Sequence, residues 1–139
     1  MVDEAATPDL VARMRHGFEA GKRGDLDAIM SSYARDATWV VVGLGARLEG
    51  AAAIRVFLEE WLGAYEEWEI VPEELVDLGN GVVFGVLVQQ GRLLGSTAQV
   101  RYRFAQVSAW DDGVIVRVTG YTDIDEARAA AKRLAQERG

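Results

Sequence analysis

Cysteine is absent from this 139-residue chain, which excludes disulfides and thiolate metal sites. Its absence is compatible with a reducing cytoplasm, where we expect the protein to reside. Proline occurs only at Pro8 and Pro72, and no low-complexity run or internal repeat is present, so no linker is indicated. We therefore expect one domain over residues 1–139, long enough to bury a substantial core.

Positive charge is also scarce. The chain has 15 basic and 22 acidic residues and a formal charge of −7, which would repel nucleic acid and anionic membranes. No signal-peptide pattern is present at the N-terminus, and no apolar run approaches the roughly 20 residues needed to span a bilayer. We expect a soluble protein whose partners are neither nucleic acid nor membrane.

Motifs that bind cofactors or metals are missing too. The sequence contains no metal-ligand cluster, P-loop, nucleophile elbow or dinucleotide fingerprint. The Gly43-Leu44-Gly45 segment lacks a third glycine and follows no strand-to-helix turn. We therefore predict no cofactor and no metal site.

The most informative stretch runs from residue 96 to 123, where two runs of β-branched and aromatic residues flank Asp111-Asp112-Gly113 and predict a hairpin. A two-residue turn would pair Asp111 with Val114, whereas a three-residue loop would pair Trp110 with Val114. We favour the second register, because it separates an apolar face from a face bearing arginines. The predicted apolar face contains Val100, Tyr102, Phe104, Gln106, Ser108, Trp110, Val114, Val116, Val118, Gly120 and Thr122, and the opposite face contains Arg101, Arg103 and Arg117.

Helix signals surround this hairpin. Thr7-Pro8 predicts the start of a first helix that Gly21 ends, and Asp25 caps a second helix that ends near 35–36. A third helix is predicted over 51–62. Asp123 opens an alanine-rich final helix, which we expect on the surface because it has little large aliphatic content.

Further strands are predicted over 38–42, 67–78 and 82–90, with a loop or small ribbon over 43–50. Pro72 places its strand at an edge or a bulge, and Asn80-Gly81 predicts a tight turn. Helices followed by a long antiparallel sheet indicate the α+β class.

Two strings, G-D-L-D-A-I-M-S-S-Y-A-R-D-A-T from Gly24 and W-D-D-G-V-I-V-R-V-T-G-Y-T-D-I-D-E-A from Trp110, resemble the SnoaL-like branch of the nuclear transport factor 2-like superfamily. The resemblance in layout covers nearly the whole chain. It implies a cone in which a curved antiparallel sheet and N-terminal helices enclose a pocket. Members include ketosteroid isomerases, epoxide hydrolases, dehydratases, polyketide cyclases and non-enzymes, so the fold alone does not select a function.

The catalytic residues of these relatives are not matched here. The ketosteroid isomerase tyrosine falls on Gly17, its basic aspartate on Val41, and its second oxyanion donor near Gln106. The epoxide hydrolase aspartate falls on Gly120, and the dehydratase histidine on Trp68. Because proton abstraction needs a positioned base, we predict no ketosteroid isomerase or epoxide hydrolase activity.

Catalytic residues therefore stay unknown. The remaining candidates are Asp36, Tyr33 and His16, although capping, core packing and solvation explain each of them without a function. The predicted ligand-binding residues are Trp39, Val41, Trp61, Tyr102, Phe104, Gln106, Ser108, Trp110, Val118 and Gly120.

These residues predict a protein that binds a small apolar or aromatic molecule in an internal pocket. One alternative is a lyase, isomerase or polyketide-cyclase-like enzyme that uses a pocket aspartate or tyrosine and water. Another is a non-catalytic homodimeric structural module. The resemblance also implies a homodimer, and we expect its contact on the outer face of the sheet, with Arg101, Arg103, Arg117, Val107, Ile115 and Tyr121.

Overall fold

The computed structural model describes residues 9–139 and has the α+β architecture that the sequence predicts. The elements, in order, are α1 (Leu10–Arg23), α2 (Leu26–Met30), β1 (Tyr33–Val41), β2 (Ala46–Glu49), α3 (Ala51–Gly63), β3 (Tyr65–Gly79), β4 (Val82–Leu93), β5 (Gln99–Asp111), β6 (Val114–Tyr121) and α4 (Ile124–Arg138). In the part of the chain described, no helix is long and apolar enough to cross a membrane.

The six strands form one sheet in the order β2-β1-β6-β5-β4-β3. The sheet is mixed rather than antiparallel throughout, since β1 runs parallel to β6 while every other pair is antiparallel. β3 is an edge strand, and its pairing with β4 shifts between Pro72 and Glu74. Pro72 thus lies both on an edge strand and at a bulge, as predicted, because it has no N–H for the ladder.

The ends of α1 differ from those predicted. Asp9 caps the helix, and its carboxylate accepts a hydrogen bond from the Ala12 N–H at 3.0 Å. The predicted cap at Thr7-Pro8 lies outside the described residues. The helix continues through Gly21 to Gly24, whose φ of 71° supplies the left-handed cap that glycine adopts without strain. Gly21 is instead a buried position of the helix, where an added Cβ would lie 2.5 Å from the Trp68 ring.

The second helix is shorter than predicted, because it ends at Met30 rather than near 35–36. Its cap at Asp25 is confirmed by a hydrogen bond from the Ala28 N–H at 3.1 Å. Tyr33 and Asp36 consequently lie in β1, not at the end of a helix. The Ile115 N–H donates to the Ser32 carbonyl at 2.7 Å, so the chain joins the sheet directly after this helix.

The central hairpin has the turn that we did not favour. Asp112 and Gly113 have φ of 52° and 81°, and Asp111 pairs with Val114, which is a two-residue turn with both residues left-handed. A bulge follows, because Trp110 pairs with Ile115 while Ala109 pairs with Arg117. The extra residue restores the predicted faces for the rest of the strand. Gln106 and Gly120 therefore lie on the inner face as predicted, whereas Ile115 replaces the predicted Val114 and Val116.

Helices cover both faces of the sheet. On the inner face, α1 packs against β3 and α3 against β1, around buried residues such as Ile54, Leu58 and Val118. On the outer face, α4 packs through Ala127, Ala131 and Ala135. These small side chains allow the helix to approach the sheet closely. The alanine-rich side of α4 is thus part of the core, which corrects the expectation of a surface helix.

This position of α4 also changes the predicted dimer surface. Val107 is buried in the cluster beneath α4, and Ile115 lies on the inner face with Trp110. The arginines Arg101, Arg103 and Arg117 remain exposed. The part of the outer face that is left for a partner is therefore smaller and more cationic than the sequence suggested.

Candidate functional site

Two neighbouring concavities, which share three lining residues, lie between the inner face of the sheet and the helices α1 to α3. The first, which we call the inner cavity, has a volume of about 70 Å³. Its lining residues are Arg13, Met14, Gly17, Phe18, Ile29, Ser32, Tyr33, Trp39, Leu58, Trp61, Leu62, Trp68, Ile70, Leu87, Gln106, Trp110, Ile115 and Val118. An engineered apolar cavity of ~150 Å³ holds one benzene, so the inner cavity accommodates a smaller group than an aromatic ring.

The second concavity, the outer groove, opens at the end of β6 and has a volume of about 520 Å³. It is lined by Trp39, Val41, Leu44, Phe57, Glu60, Trp61, Tyr102, Phe104, Gln106, Gly120, Tyr121 and Thr122. Sites for small molecules commonly have volumes of about 300–1,000 Å³ and mostly apolar walls. The groove is therefore large enough for the body of a ligand, and the inner cavity is not.

Trp39, Trp61 and Gln106 line both spaces and form the wall between them. The ring of Phe57 lies 5.8 Å from that of Trp39 and 5.7 Å from that of Trp61. Trp61 in turn meets Trp68 edge to face at 5.5 Å. Such aromatic pairs stabilise each other by about 0.5–1.5 kcal/mol beyond their burial, so this wall is built from mutually supporting rings.

Gln106 is the buried polar residue of this wall, with only 9% of its surface exposed. Its neighbours across the sheet are Gly85 on β4 and Gly120 on β6. The side-chain amide forms no hydrogen bond with any of residues 9–139, although it has two donors and an acceptor. A ligand or water in either space can therefore reach the Gln106 amide. The donors and the acceptor of this amide are available for hydrogen bonds with such a ligand.

Tyr33 contributes the hydroxyl of the inner cavity, and its ring stacks on Trp39 at 6.3 Å. Burial raises the pKa of the Tyr33 hydroxyl well above its ordinary value, because the phenolate would lose its hydration. The group therefore stays protonated at neutral pH and can donate a hydrogen bond. Of the three catalytic candidates, it is the one that reaches the interior.

The other two candidates face solvent. Asp36 is exposed on β1 and His16 is exposed on α1, and neither lines the inner cavity or the outer groove. Among residues 9–139, Glu60 is the only carboxylate that lines either space. Within the same residues, no group of three histidine, aspartate or glutamate side chains could hold a metal ion.

Nine of the ten predicted ligand-binding residues line the two spaces. Trp110 and Val118 line the inner cavity, while Val41, Tyr102, Phe104 and Gly120 line the groove, in addition to the three residues of the shared wall. Period-two spacing along β1, β5 and β6 brings eight of them together, because alternate residues share a face, and Trp61 joins them from α3.

Ser108 is the exception. Its hydroxyl accepts a hydrogen bond from the Trp110 indole at 3.0 Å and lies 3.5 Å from the Val83 carbonyl. The residue is 1% exposed and lines neither space. These contacts satisfy the hydroxyl inside the protein, so its role is to fix Trp110, and we correct the prediction on that point.

Sequence reasoning missed a buried amide on β4. Gln89 is fully buried, accepts a hydrogen bond from the Trp68 indole at 3.2 Å and donates to the Tyr65 hydroxyl at 3.0 Å. It therefore fixes the Trp68 ring, which closes the inner cavity. The sequence contained a signal for this residue, because Gln89 falls among the alternate, inward-facing residues of β4, which are otherwise apolar. Leu44 and Glu60 were missed too, since their places at the groove follow from loop and helix geometry.

A model of the SnoaL-like domain family matches residues 11–118. The chain belongs to this family. No curated protein sequence matches the chain. The fold is that of the nuclear transport factor 2-like cone, as the resemblance implied.

Solved structures resemble this SnoaL-like chain over most of its length. One is a Catenulispora acidiphila protein with a ketosteroid isomerase-like fold in complex with trimethylamine, with a TM-score of 0.71, 17% identity, and 90% and 93% of the two chains covered. Another is a Mycobacterium tuberculosis protein in complex with estradiol-17beta-hemisuccinate, with a TM-score of 0.72, 16% identity, and 83% and 94% covered.

A third similar structure is an LEH-like epoxide hydrolase from M. tuberculosis, with a TM-score of 0.70, 17% identity, and 88% and 89% of the chains covered. At such identities the likeness concerns the fold. The site of this SnoaL-like chain has to be interpreted from its own residues.

Proposed function

We propose that this SnoaL-like protein binds a small apolar or aromatic molecule in the outer groove, with one polar group of the ligand at the Gln106 amide. The observation that carries the proposal is the side-chain amide of Gln106, which has no hydrogen-bond partner among residues 9–139 and lines two spaces with mostly apolar walls. No side-chain nitrogen or oxygen of these residues is both buried and unpartnered, so water can reach the amide, and a ligand hydrogen bond there would replace one to water.

The volumes of the two spaces indicate where each part of the ligand would bind. Its ring system occupies the groove of about 520 Å³, between Trp61, Tyr102 and Phe104. A methyl-sized extension enters the inner cavity of about 70 Å³. Complexes of two similar structures with trimethylamine and estradiol-17beta-hemisuccinate support a small-molecule role for this fold.

The test is calorimetric titration with a panel of mono- and bicyclic aromatic alcohols, in wild type and in Gln106→Met. Methionine keeps the length of the side chain and removes its hydrogen bonds, so we expect the best probe to lose about 2- to 12-fold in affinity. Gln136→Met on the exposed side of α4 is the matched control. If no alcohol in the panel binds with saturation, or if both variants lose affinity equally, the proposal is wrong.

An enzymatic alternative rests on Tyr33. Burial raises the pKa of its hydroxyl, so the group stays protonated and could donate a hydrogen bond to an oxyanion that develops in a lyase, isomerase or cyclase reaction. Glu60, at the groove, would have to supply the base through water. Turnover of a bound ligand that persists in Tyr33→Phe would contradict this alternative.

A homodimer, with or without a ligand, is the remaining proposal. The exposed Arg101, Arg103 and Arg117 lie beside the part of the outer face that α4 leaves uncovered, and a two-fold contact would have to place them against acidic residues of the same face, such as Glu73, which pairs with Arg103 at 2.6 Å within the chain. Sedimentation at micromolar concentration should give about twice the chain mass of 15.2 kDa. A mass near 15.2 kDa would exclude the dimer.

A further inference from the structure

The charge and the aromatic character of the outer groove narrow the class of ligand. Glu60 is the only charged residue among those of the described chain that line the groove. Among residues 9–139, no lysine, arginine or histidine lines it. An anionic ligand would therefore meet a carboxylate and no counter-charge.

Aromatic rings make up half of the groove lining. The rings are those of Trp39, Phe57, Trp61, Tyr102, Phe104 and Tyr121. Tyr102 and Phe104 lie 5.4 Å apart and tilted by 39°, and Tyr102 is 47% exposed, so this pair forms an accessible wall. The faces of aromatic rings carry negative quadrupole charge and attract cations within about 6 Å.

We propose that the ligand of the outer groove carries a poorly hydrated cation, which is either a protonated tertiary amine or a quaternary ammonium group. The aromatic rings and Glu60 hold this cation. This inference rests on the proposed small-molecule function and adds the charge of the ligand to it. A quaternary ammonium group suits the site, because it offers an apolar surface to the rings and gives up little hydration on entering the groove.

The remaining charges agree with this assignment. Tyr102 stays neutral, because burial raises the pKa of its hydroxyl and the neighbouring Tyr65 adds to the shift. Arg13, the cation that lines the inner cavity, donates a hydrogen bond to the Gly113 carbonyl at the opposite end of the interior. The formal charge of −7 attracts cations to the protein as a whole.

The experiment compares choline with 3,3-dimethylbutan-1-ol, its neutral isostere, by NMR titration of the tryptophan indole resonances. Both molecules carry a hydroxyl for Gln106, and they differ only in the charge of the trimethyl group. We expect choline to bind about two- to thirtyfold more tightly, as expected for a cation on aromatic faces. We also expect Glu60→Gln to weaken choline about two- to fivefold and to leave the alcohol unaffected.

Glu59→Gln is the matched control, because Glu59 is the exposed neighbour on α3 that does not line the groove. If the alcohol binds as tightly as choline, or if the two glutamate variants behave alike, the cationic assignment is overturned while the proposed pocket stands. If neither molecule shifts the indole resonances of Trp39 and Trp61 while an aromatic alcohol does, the cationic assignment is overturned and the pocket stands; if the aromatic alcohols fail to shift them too, the proposed pocket fails together with this inference.

Discussion

Gln106 and Gly120 face each other across β5 and β6, so the Gln106 amide has an open space beside it on the inner face. A Cβ atom at Gly120 would meet nothing closer than the Val40 carbonyl at 4.0 Å. On its other side, the space over Gly85 is closed by Leu75, whose methyl group would lie 3.0 Å from an added Cβ. The groove therefore reaches Gln106 from the Gly120 side.

Gly120→Leu should block ligand binding without unfolding the protein. The new side chain would extend into the groove, and the space around the Cβ position is free. We expect the affinity for the best aromatic ligand to fall by tenfold or more, while the melting temperature changes little. Gly120→Ala should have a smaller effect. Unchanged affinity in Gly120→Leu would place the binding site elsewhere.

Two glycines of α1 should respond in opposite directions to alanine. At Gly17 an added Cβ meets nothing within 4 Å, so the helix gains about 0.5–1 kcal/mol. At Gly21 the Cβ would lie 2.5 Å from the ring of Trp68, which Gln89 holds in place. Overpacking of about 1–3 kcal/mol then exceeds the helix gain. Urea midpoints should rise for Gly17→Ala and fall for Gly21→Ala.

A stabilised Gly21→Ala variant would mean that the Trp68 ring moves aside easily. In that case the inner cavity would not have a fixed wall at this point, and its volume would depend on the ring position.

Leucine substitutions on α4 test how closely this helix packs. Ala131 is fully buried against the outer face, whereas Ala129 is exposed on the same helix. Ala131→Leu should lower the free energy of unfolding by about 1–3 kcal/mol. Ala129→Leu should change it by less than about 0.5 kcal/mol. Equal denaturation midpoints for the two variants would contradict the buried position of α4.

The ion pair between α4 and β3 makes stability depend on pH. Arg128 donates two hydrogen bonds to Glu74, at 2.7 and 3.1 Å, and these bonds lower the pKa of the carboxyl group. The pair therefore stabilises the fold above the unfolded pKa of about 4.3 and loses this effect as pH falls through the lowered folded pKa.

Glu74→Gln should accordingly be less stable than wild type at pH 7, and the difference should vanish in acid. Denaturant unfolding at several pH values measures it. The double variant with Arg128→Gln should lose little more than Arg128→Gln alone, because the single arginine change already removes the ion pair together with the cation–π contact of Arg128 with the Phe84 ring at 4.7 Å. A difference that stays constant down to pH 3 would show that the carboxyl charge does not contribute.

The sequence was sufficient for the parts of the fold that local chemistry determines. The turn at Asn80-Gly81 has φ of 57° and 76°, as its residue types require, and Asp123 caps α4 through the Glu126 N–H at 3.0 Å. Alternation along β5 and β6 also grouped most residues of the candidate site. These features are determined by residues that are close together in the chain, so they can be predicted from the sequence.

Features that depend on distant contacts were not predicted. The two-residue turn pairs Ile115 with Trp110 on the inner face, and the bulge after it returns Val118 to that face; period two alone cannot reveal one inserted residue. In the sequence, Tyr33 continues the apolar spacing of the second helix. In the structure it lies in β1, because it pairs with β6. The alanines of α4 have little hydrophobic signal, although a sheet covers them. The division of the interior into a large groove and a small cavity depends on how the rings of Trp39, Phe57 and Trp61 pack together.

The proposed contact between the ligand and the Gln106 amide is tested most directly by ¹⁵N NMR of this side-chain amide. The spectrum of Gln106→Met identifies its resonance. On saturation with the best aromatic ligand, we expect both amide protons to shift, together with the indole N–H of Trp61. The amide of Gln89 should shift less, because Trp68 and Tyr65 already occupy it. An unmoved Gln106 resonance in the saturated protein would contradict the proposed site.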